Sequence, residues 1–391
     1  MNDDEYGISL LRPLDTGVPD GPSRINVAKA MGDGRRARRV RTISAAAAIT
    51  AVVVTAAALV LRPPTEHVLP ALPPDPAKPS SCVAQKLEFG KAASAEVTGG
   101  DRTGTYLVGT TNPWAGAKSR TVLVWKKGEL IASAATPKRM PVMSDINGSG
   151  IAVGGTAEMP SLPFYLRDGK VSPLKGDGIA IAINEAGQIA GNYEKRDHAA
   201  PQRWASPDAE PEVMTTPAGA TGGRTWDIDE NGTVVTSFYT NTGEVAYLWH
   251  ADGSAEPIAA PNQFSSGGVM PIAFHFGWLY AEVRGGNSNA PTGPGTSIYR
   301  YHLPTRTWQL LSEDSWAAHV PAPTNVGGFQ SELPTVFVGR QILELPAMTE
   351  TPDDGYTVDF ISETAKVAAG NKFSLTASDN NPPVPIIWNC T

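Results

Sequence analysis

Between residues 95 and 391 the chain alternates short runs of β-branched and small residues with polar turns, and the alternation recurs. INGSGIAVGG (146–155), INEAGQIAGN (183–192), IDENGTVVTS (228–237) and ISETAKVAAG (361–370) share one pattern. It runs Ile, a polar residue, a two-residue turn, a small residue, then alternating small and β-branched positions. A period of two predicts strands rather than helices. GTYLVGT (104–110), GWLYAEV (277–283) and PTVFVGR (334–340) carry the strand without the full turn. Gly150 lies 37 residues before Gly187, Gly187 lies 45 before Gly232, and a further 45 reaches Gly277. Units of about forty residues are those of propeller blades.

Each copy is followed by a second strand bearing an aromatic: Trp125, Tyr165, Trp204, Trp249, Tyr301 and Trp388. Polar turns follow at 126–128, 167–169 and 251–253, then a third short strand such as GELIASAA (128–135). Hairpin after hairpin is implied, because Asp-Gly and Asn-Gly favour the positive φ of tight turns. Small sheets of this kind bury their faces only against one another, which closes a ring. The expected fold is all-β, a six- or seven-bladed β-propeller with seven favoured, over residues 82–391. Trp125, Trp204, Trp249 and Trp388 recur at one blade position and are expected in the core.

The last copy stops at Thr391 without an outer strand, whereas CVAQKLEFG (82–90) is a strand-like piece with no partner before it. Together they predict one composite blade. Cys82 and Cys390, the only two cysteines, would meet there as a disulfide. The alternative is two unpaired small hydrophobes.

The N-terminal pattern differs. Residues 43–61, ISAAAAITAVVVTAAALVL, hold no charge, and a nineteen-residue helix reaches ~28 Å, close to the hydrocarbon thickness. Eight residues are Ala and three are Ser or Thr, so the run is weakly apolar. RRARRVR at 35–41 precedes it, and the positive-inside bias keeps such a flank cytoplasmic. The expected order is a basic cytoplasmic tail, largely disordered (1–42), a single transmembrane helix (43–61), a Pro-rich polyproline II stalk (62–81) and the propeller (82–391). The body would then be extracellular on a cell-membrane anchor. A cleaved signal peptide, with Ala56 and Ala58 as small residues at the cut, a twin-arginine route and a buried soluble helix are the competing readings.

Charge fits this division. Residues 1–62 carry nine Arg/Lys against six Asp/Glu, a balance of +3, and the remainder carries −10 within a net charge of −7. A basic block beside an acidic body points to a membrane boundary and to no nucleic-acid partner. Gly 39, Pro 34 and 41 % hydrophobic residues suit short strands joined by turns and exclude a disordered chain.

The copies resemble the HAF-type extracellular repeat, in which a segment like I-N-x-x-G-x-I-x-G precedes one ending in Leu-Trp. Ile183, Asn184, Gly187, Ile189 and Gly191 match it, as do Leu248 and Trp249. The resemblance implies a propeller-like architecture outside the cytoplasm and no shared reaction. The stretch from Leu10 to Arg39 also looks like the cytoplasmic leader of actinobacterial single-pass proteins.

Signals for chemistry are few. Asp227, Asp229 and Asn231 sit at alternate positions like the opening of a calcium loop, but Phe238 stands where the bidentate Glu would be. A repeat turn is therefore expected, with no metal and no cofactor. Six His are scattered without metal-binding spacing. Neither G-x-S-x-G nor a reactive Cys context occurs. Glu313-Asp314 reads as a solvated acidic loop. Trp114 and Trp316 lie in apparent loops and are candidates for stacking on a ligand. The expected function is a binding module taking a protein or glycan on one propeller face, more readily than an enzyme. A surface enzyme acting on carbohydrate or cell-wall polymer and a transmembrane sensor are the alternatives. Carboxylates clustered at one channel mouth would favour the enzyme, and an apolar or aromatic rim would favour binding.

Overall fold

The computed structural model describes residues 71–112, 120–135, 141–158, 160–195, 198–241, 243–261, 268–284, 296–313, 318–321, 333–348, 354–374 and 382–391. The tail, the expected span 43–61, the first part of the stalk, Trp114 and Trp316 lie outside these residues. Every regular element among them is a strand.

The chain opens with β1 (Cys82–Lys86). Blade 1 comprises β2 (Ala95–Gly100), β3 (Tyr106–Thr111), β4 (Thr121–Lys126) and β5 (Glu129–Ala135). Blade 2 comprises β6 (Pro141–Ile146), β7 (Ala152–Thr156), β8 (Pro163–Arg167) and β9 (Lys170–Pro173). Blade 3 follows with β10 (Ile179–Ile183), β11 (Ile189–Lys195), β12 (His198–Trp204) and β13 (Pro211–Val213). Blade 4 has β14 (Ala220–Ile228), β15 (Val234–Thr240), β16 (Gly243–Trp249) and β17 (Ala255–Pro257). Blade 5 has β18 (Val269–His275), β19 (Trp278–Val283), β20 (Ser297–His302) and β21 (Thr307–Ser312). A two-stranded ribbon, β22 (Thr335–Val338) and β23 (Gln341–Glu344), precedes the last strands, β24 (Asp354–Ile361), β25 (Val367–Ser374) and β26 (Val384–Cys390).

Blade 6 is composite, with strand order β1-β26-β25-β24. Cys82 pairs with Cys390 and Ala84 with Trp388, antiparallel. The Cys82–Cys390 disulfide joins positions 308 residues apart. The expected closure is thus present: the first strand of the body supplies the outer edge of the last blade. The count favoured from the sequence is corrected. Six complete four-stranded blades form the propeller, and the segment expected to supply a seventh makes only the ribbon β22–β23. Among the described residues, its inner position holds a single parallel bridge, His319 to Val336.

The repeat spans more than its motif suggested. Its Ile ends the innermost strand of a blade, as Ile146, Ile183, Ile228 and Ile361 do, and the strand after the turn is the second. At the turn, Gly150, Gly187 and Gly232 have φ of 74°, 80° and 78°, and Ala365 takes the same place at 56°. All six inner strands carry a bulge at one equivalent point, between Val97/Gly99, Met143/Asp145, Ala180/Ala182, Thr225/Asp227, Pro271/Ala273 and Val358/Phe360. A bulge bends the strand and re-aims the next side chain, here toward the ring axis and the neighbouring blade.

The core is divided into six wedges, one between each pair of successive blades. The wedge between blades 5 and 6 also takes in the ribbon through Val336, Phe337 and Leu343. Trp125, Trp204, Trp249 and Trp388 are all buried on the third strands, as expected. In blade 2 the equivalent place opposite Ala152 belongs to Leu166 rather than to Tyr165. Three of these indoles tie blades together. Nε1 of Trp125, Trp204 and Trp388 donates to the carbonyls of Glu88, Lys175 and Pro346, at 2.6, 2.9 and 2.8 Å. Each acceptor lies just beyond the outer strand of the preceding sheet, so β23 holds an outer-strand position despite its short ribbon.

Candidate functional site

The bulges and turns gather polar groups at one end of the central channel, around a cavity of about 490 Å³. Its walls carry the carboxylates of Asp145, Glu185, Asp227, Asp229, Glu230, Glu256, Asp359 and Glu363. Arg102, His250, His275 and His302 are the basic groups, and Phe274 and Phe360 add aromatic surface.

These carboxylates follow from the repeat. The polar residue after the motif Ile caps its own turn: Asn147 Oδ1 accepts from Ser149 and Ile151 N–H, and Asn184 Oδ1 from Gln188 N–H. Asp229 Oδ1 accepts from Asn231 and Thr233 N–H at 2.9 and 2.7 Å. This is the Asx turn expected from the sequence. The amides of Asn147 and Asn184 also reach the next blade, donating to the Asn184 and Asp229 carbonyls at 3.2 and 3.0 Å.

One residue further on, a glutamate reaches back to the preceding turn. Glu185 accepts from Gly148 N–H at 2.9 Å, Glu230 from Glu185 N–H at 3.1 Å, and Glu363 from Phe276 N–H at 2.9 Å. In blade 1 the position is Arg102, whose guanidinium lies 3.0 Å from Glu230 and 3.3 Å from Glu363. Burial alone would lower the Arg102 pKa, but Glu363 and Glu230 more than offset it and raise the value.

Deeper in the channel, Asp145 and Asp227 stand just before the motif Ile. Asp145 accepts from Ile146 N–H at 2.8 Å and from Ile183 N–H of the next blade at 2.9 Å. Asp227 repeats this with Ile228 at 2.7 Å and Phe274 at 2.7 Å. Burial pushes the Asp227 carboxyl up to about 7 against the opposing pull of those two N–H groups, and holds Asp145 well above the usual range. Asp359 is raised to about 6 by burial, although Thr357 and Asn371 donate to it. Further along the channel Glu96 is raised to about 7 by burial and by Asp359. Burial also lowers His275, whose Nε2 lies 2.6 Å from the Pro321 carbonyl, and His302.

Among the described residues no group of three or more His, Cys, Asp or Glu is arranged to hold a metal. Glu256 is engaged at the rim by Arg306 at 2.7 Å and His250 at 3.5 Å. Every carboxylate of the cavity therefore has a partner within the protein. Several of these contacts, such as Asp145 to Ile183 and Asp227 to Phe274, join one blade to the next. The arrangement concentrates carboxyl groups around one cavity. Of the sequence candidates, Cys82 and Cys390 meet far from this mouth, in the outer edge of blade 6. Sequence reasoning did not single out Arg102, Glu185, Glu363 or Asp145, although the Glu recurs at one repeat position.

No family model matches the chain, and no curated protein matches it. Solved structures do resemble it. A streptogramin B lyase structure is 11 % identical with a TM-score of 0.50, over 79 % of this chain and 98 % of that one. Virginiamycin B lyase from Staphylococcus aureus is 11 % identical with a TM-score of 0.48, over 80 % and 100 %. The β-propeller domain of the Trilobed protease from Pyrococcus furiosus is 13 % identical with a TM-score of 0.39, over 55 % of this chain and 65 % of that one, so the match spans just under two thirds of that chain. At these identities the likeness concerns the fold alone, and the fold is an all-β, six-bladed β-propeller.

Proposed function

We propose that this protein is a membrane-anchored, extracytoplasmic binding propeller whose channel mouth takes a cationic ligand, one bearing an amine or guanidinium group. The observation that carries this reading is the cavity of about 490 Å³ whose carboxylates are all held by protein donors. Held carboxylates keep their position, and preorganised charge at the mouth favours recognition of an opposite charge. Arg102, seated between Glu230 and Glu363, displays within the protein the contact that an external guanidinium would make. Leaving aside Asp145 and Asp227, whose burial favours the neutral form, Glu185, Asp229, Glu230, Glu256 and Glu363 outnumber Arg102. The apolar run 43–61, its Arg-rich flank and the Cys82–Cys390 disulfide support the placement outside the cytoplasm.

The enzyme reading draws on the same clustered carboxylates, since a carboxyl raised to about 7, as at Asp227, suits a general acid. Its two backbone partners speak for a structural carboxyl instead. Calorimetric titration of the full-length protein with spermidine, an Arg-rich peptide and a neutral oligosaccharide separates these readings. Saturable binding is expected for the two cations, weakened at least tenfold in Glu230→Gln. Binding of the oligosaccharide alone, followed by its cleavage, would overturn the proposal in favour of the enzyme.

A further inference from the structure

The Pro-rich segment before β1 is more than a spacer. Residues 71–81 lie along the propeller beside the ribbon, and several features there make room for them or hold them. The Asp75 carboxylate accepts from two arginines: Oδ1 from Arg300 Nη1, and Oδ2 from Arg340 Nε at 2.8 Å. Arg300 is only 2 % exposed. Its guanidinium stacks over the Trp278 ring at 4.0 Å and donates from Nε and Nη2 to Gln309 Oε1 at 3.0 and 2.7 Å. A buried guanidinium with its donors already aimed is a built socket for one carboxylate.

Two glycines match the segment. A Cβ at Gly339, where φ is +60°, would stand 2.7 Å from Asp75 Oδ1, and one at Gly277 would stand 3.2 Å from Pro73 Cγ. Further along, Lys78 to Cys82 share a crevice with Leu343 and Glu344 of β23. The segment thus runs beside the ribbon in the direction of β23. At its end Ser80 N–H donates to the Thr391 carbonyl at 2.7 Å, and Thr391 N–H to Ser81 at 2.9 Å. Pro73, Pro74, Pro76 and Pro79 lack N–H donors, which disfavours a ladder to β23, and Asp75 holds this part of the segment through its side chain.

We propose that residues 71–81 form a strap, latched by Asp75 in the Arg300–Arg340 socket, which covers the two-stranded ribbon. The strap also brings Pro73 beside Gly277, a wall residue of the channel-mouth cavity. This inference does not rest on the ligand proposed for that cavity.

The test is deuterium exchange and limited proteolysis with proteinase K on the full-length protein, read peptide by peptide across 71–81. Asp75→Ala is expected to raise exchange and cleavage there at least tenfold, with β1 and the blades still protected. Arg340→Ala removes only the exposed half of the latch, leaves Arg300 in place and is expected to raise them about threefold. Asp75→Glu should restore most of the protection. Wild-type rates in both alanine variants would overturn the latch. Should Asp75→Ala fail to fold, an unchanged rate in Arg340→Ala would overturn it alone.

Discussion

The ring is weakened at two places, and it handles them differently. At blade 6 the propeller's first and last strands meet: β1 completes a four-stranded sheet, every position from Cys82 to Lys86 is paired, and a disulfide holds the outer corner. At the ribbon the sheet stops at two strands, its inner neighbour is one parallel bridge, and cover comes from a strap held by an ion pair. The first solution is covalent and made from backbone hydrogen bonds. The second is made from side chains. The ring closes even where one sheet is reduced to two strands, because the wedges of core lie between neighbouring sheets. The Trp388 indole shows this, bonding to Pro346 beyond β23 as other indoles bond beyond full blades.

Removing the disulfide should have the largest effect. Cys82→Ser with Cys390→Ser releases a loop of 308 residues and should cost up to about 5 kcal/mol in denaturant unfolding, the chain-entropy value. A loss under ~1 kcal/mol would mean that the paired strands alone close the ring. The repeat offers a sharper contrast in two glycines of one motif. A Cβ at Gly191 would meet the Ile179 carbonyl oxygen at 2.2 Å, whereas one at Gly187 meets nothing within 4 Å and suffers only its φ of +80°. Gly191→Ala should cost about 3 kcal/mol through the clash, and Gly187→Ala about 1 kcal/mol through backbone strain. Equal losses by thermal unfolding would show that the second strand can move away from the inner one.

Much of this was legible because repeats are local. The turn signature, the third-strand tryptophans and the unpaired ends at Cys82 and Cys390 each sit within a few residues of sequence, and together they imply a ring. The blade count was not legible. PTVFVGR alternates like a second strand, yet β22 and β23 lack both the turn motif before them and an aromatic third strand after them. The innermost strands were also hidden, since MPVMSDI and GGRTWDI look unlike one another until the bulge and the closing Ile are aligned. The acidic mouth was visible only in part. Asp227 and Asp229 stood out as alternating oxygens, and Asp229 does cap its turn. Asp227 reaches instead to a strand 47 residues away, a distance that local spacing does not encode.

The buried channel carboxyls are structural staples, set by the fold and costly to ionise. The direct measurement is thermal unfolding of the protein between pH 6 and 8, alone and as Asp227→Asn. Asp227 and Glu96 at about 7 and Asp359 at about 6 are all raised above the unfolded range near 4. Groups of that sign contribute stability at low pH that is lost as pH rises through the folded value. His275 and His302, lowered by burial, act in the opposite direction only as pH falls below about 6.5. The melting temperature should fall by roughly 5 °C or more from pH 6 to 8, and less in Asp227→Asn. A melting temperature that is level or rises across that range would contradict the account.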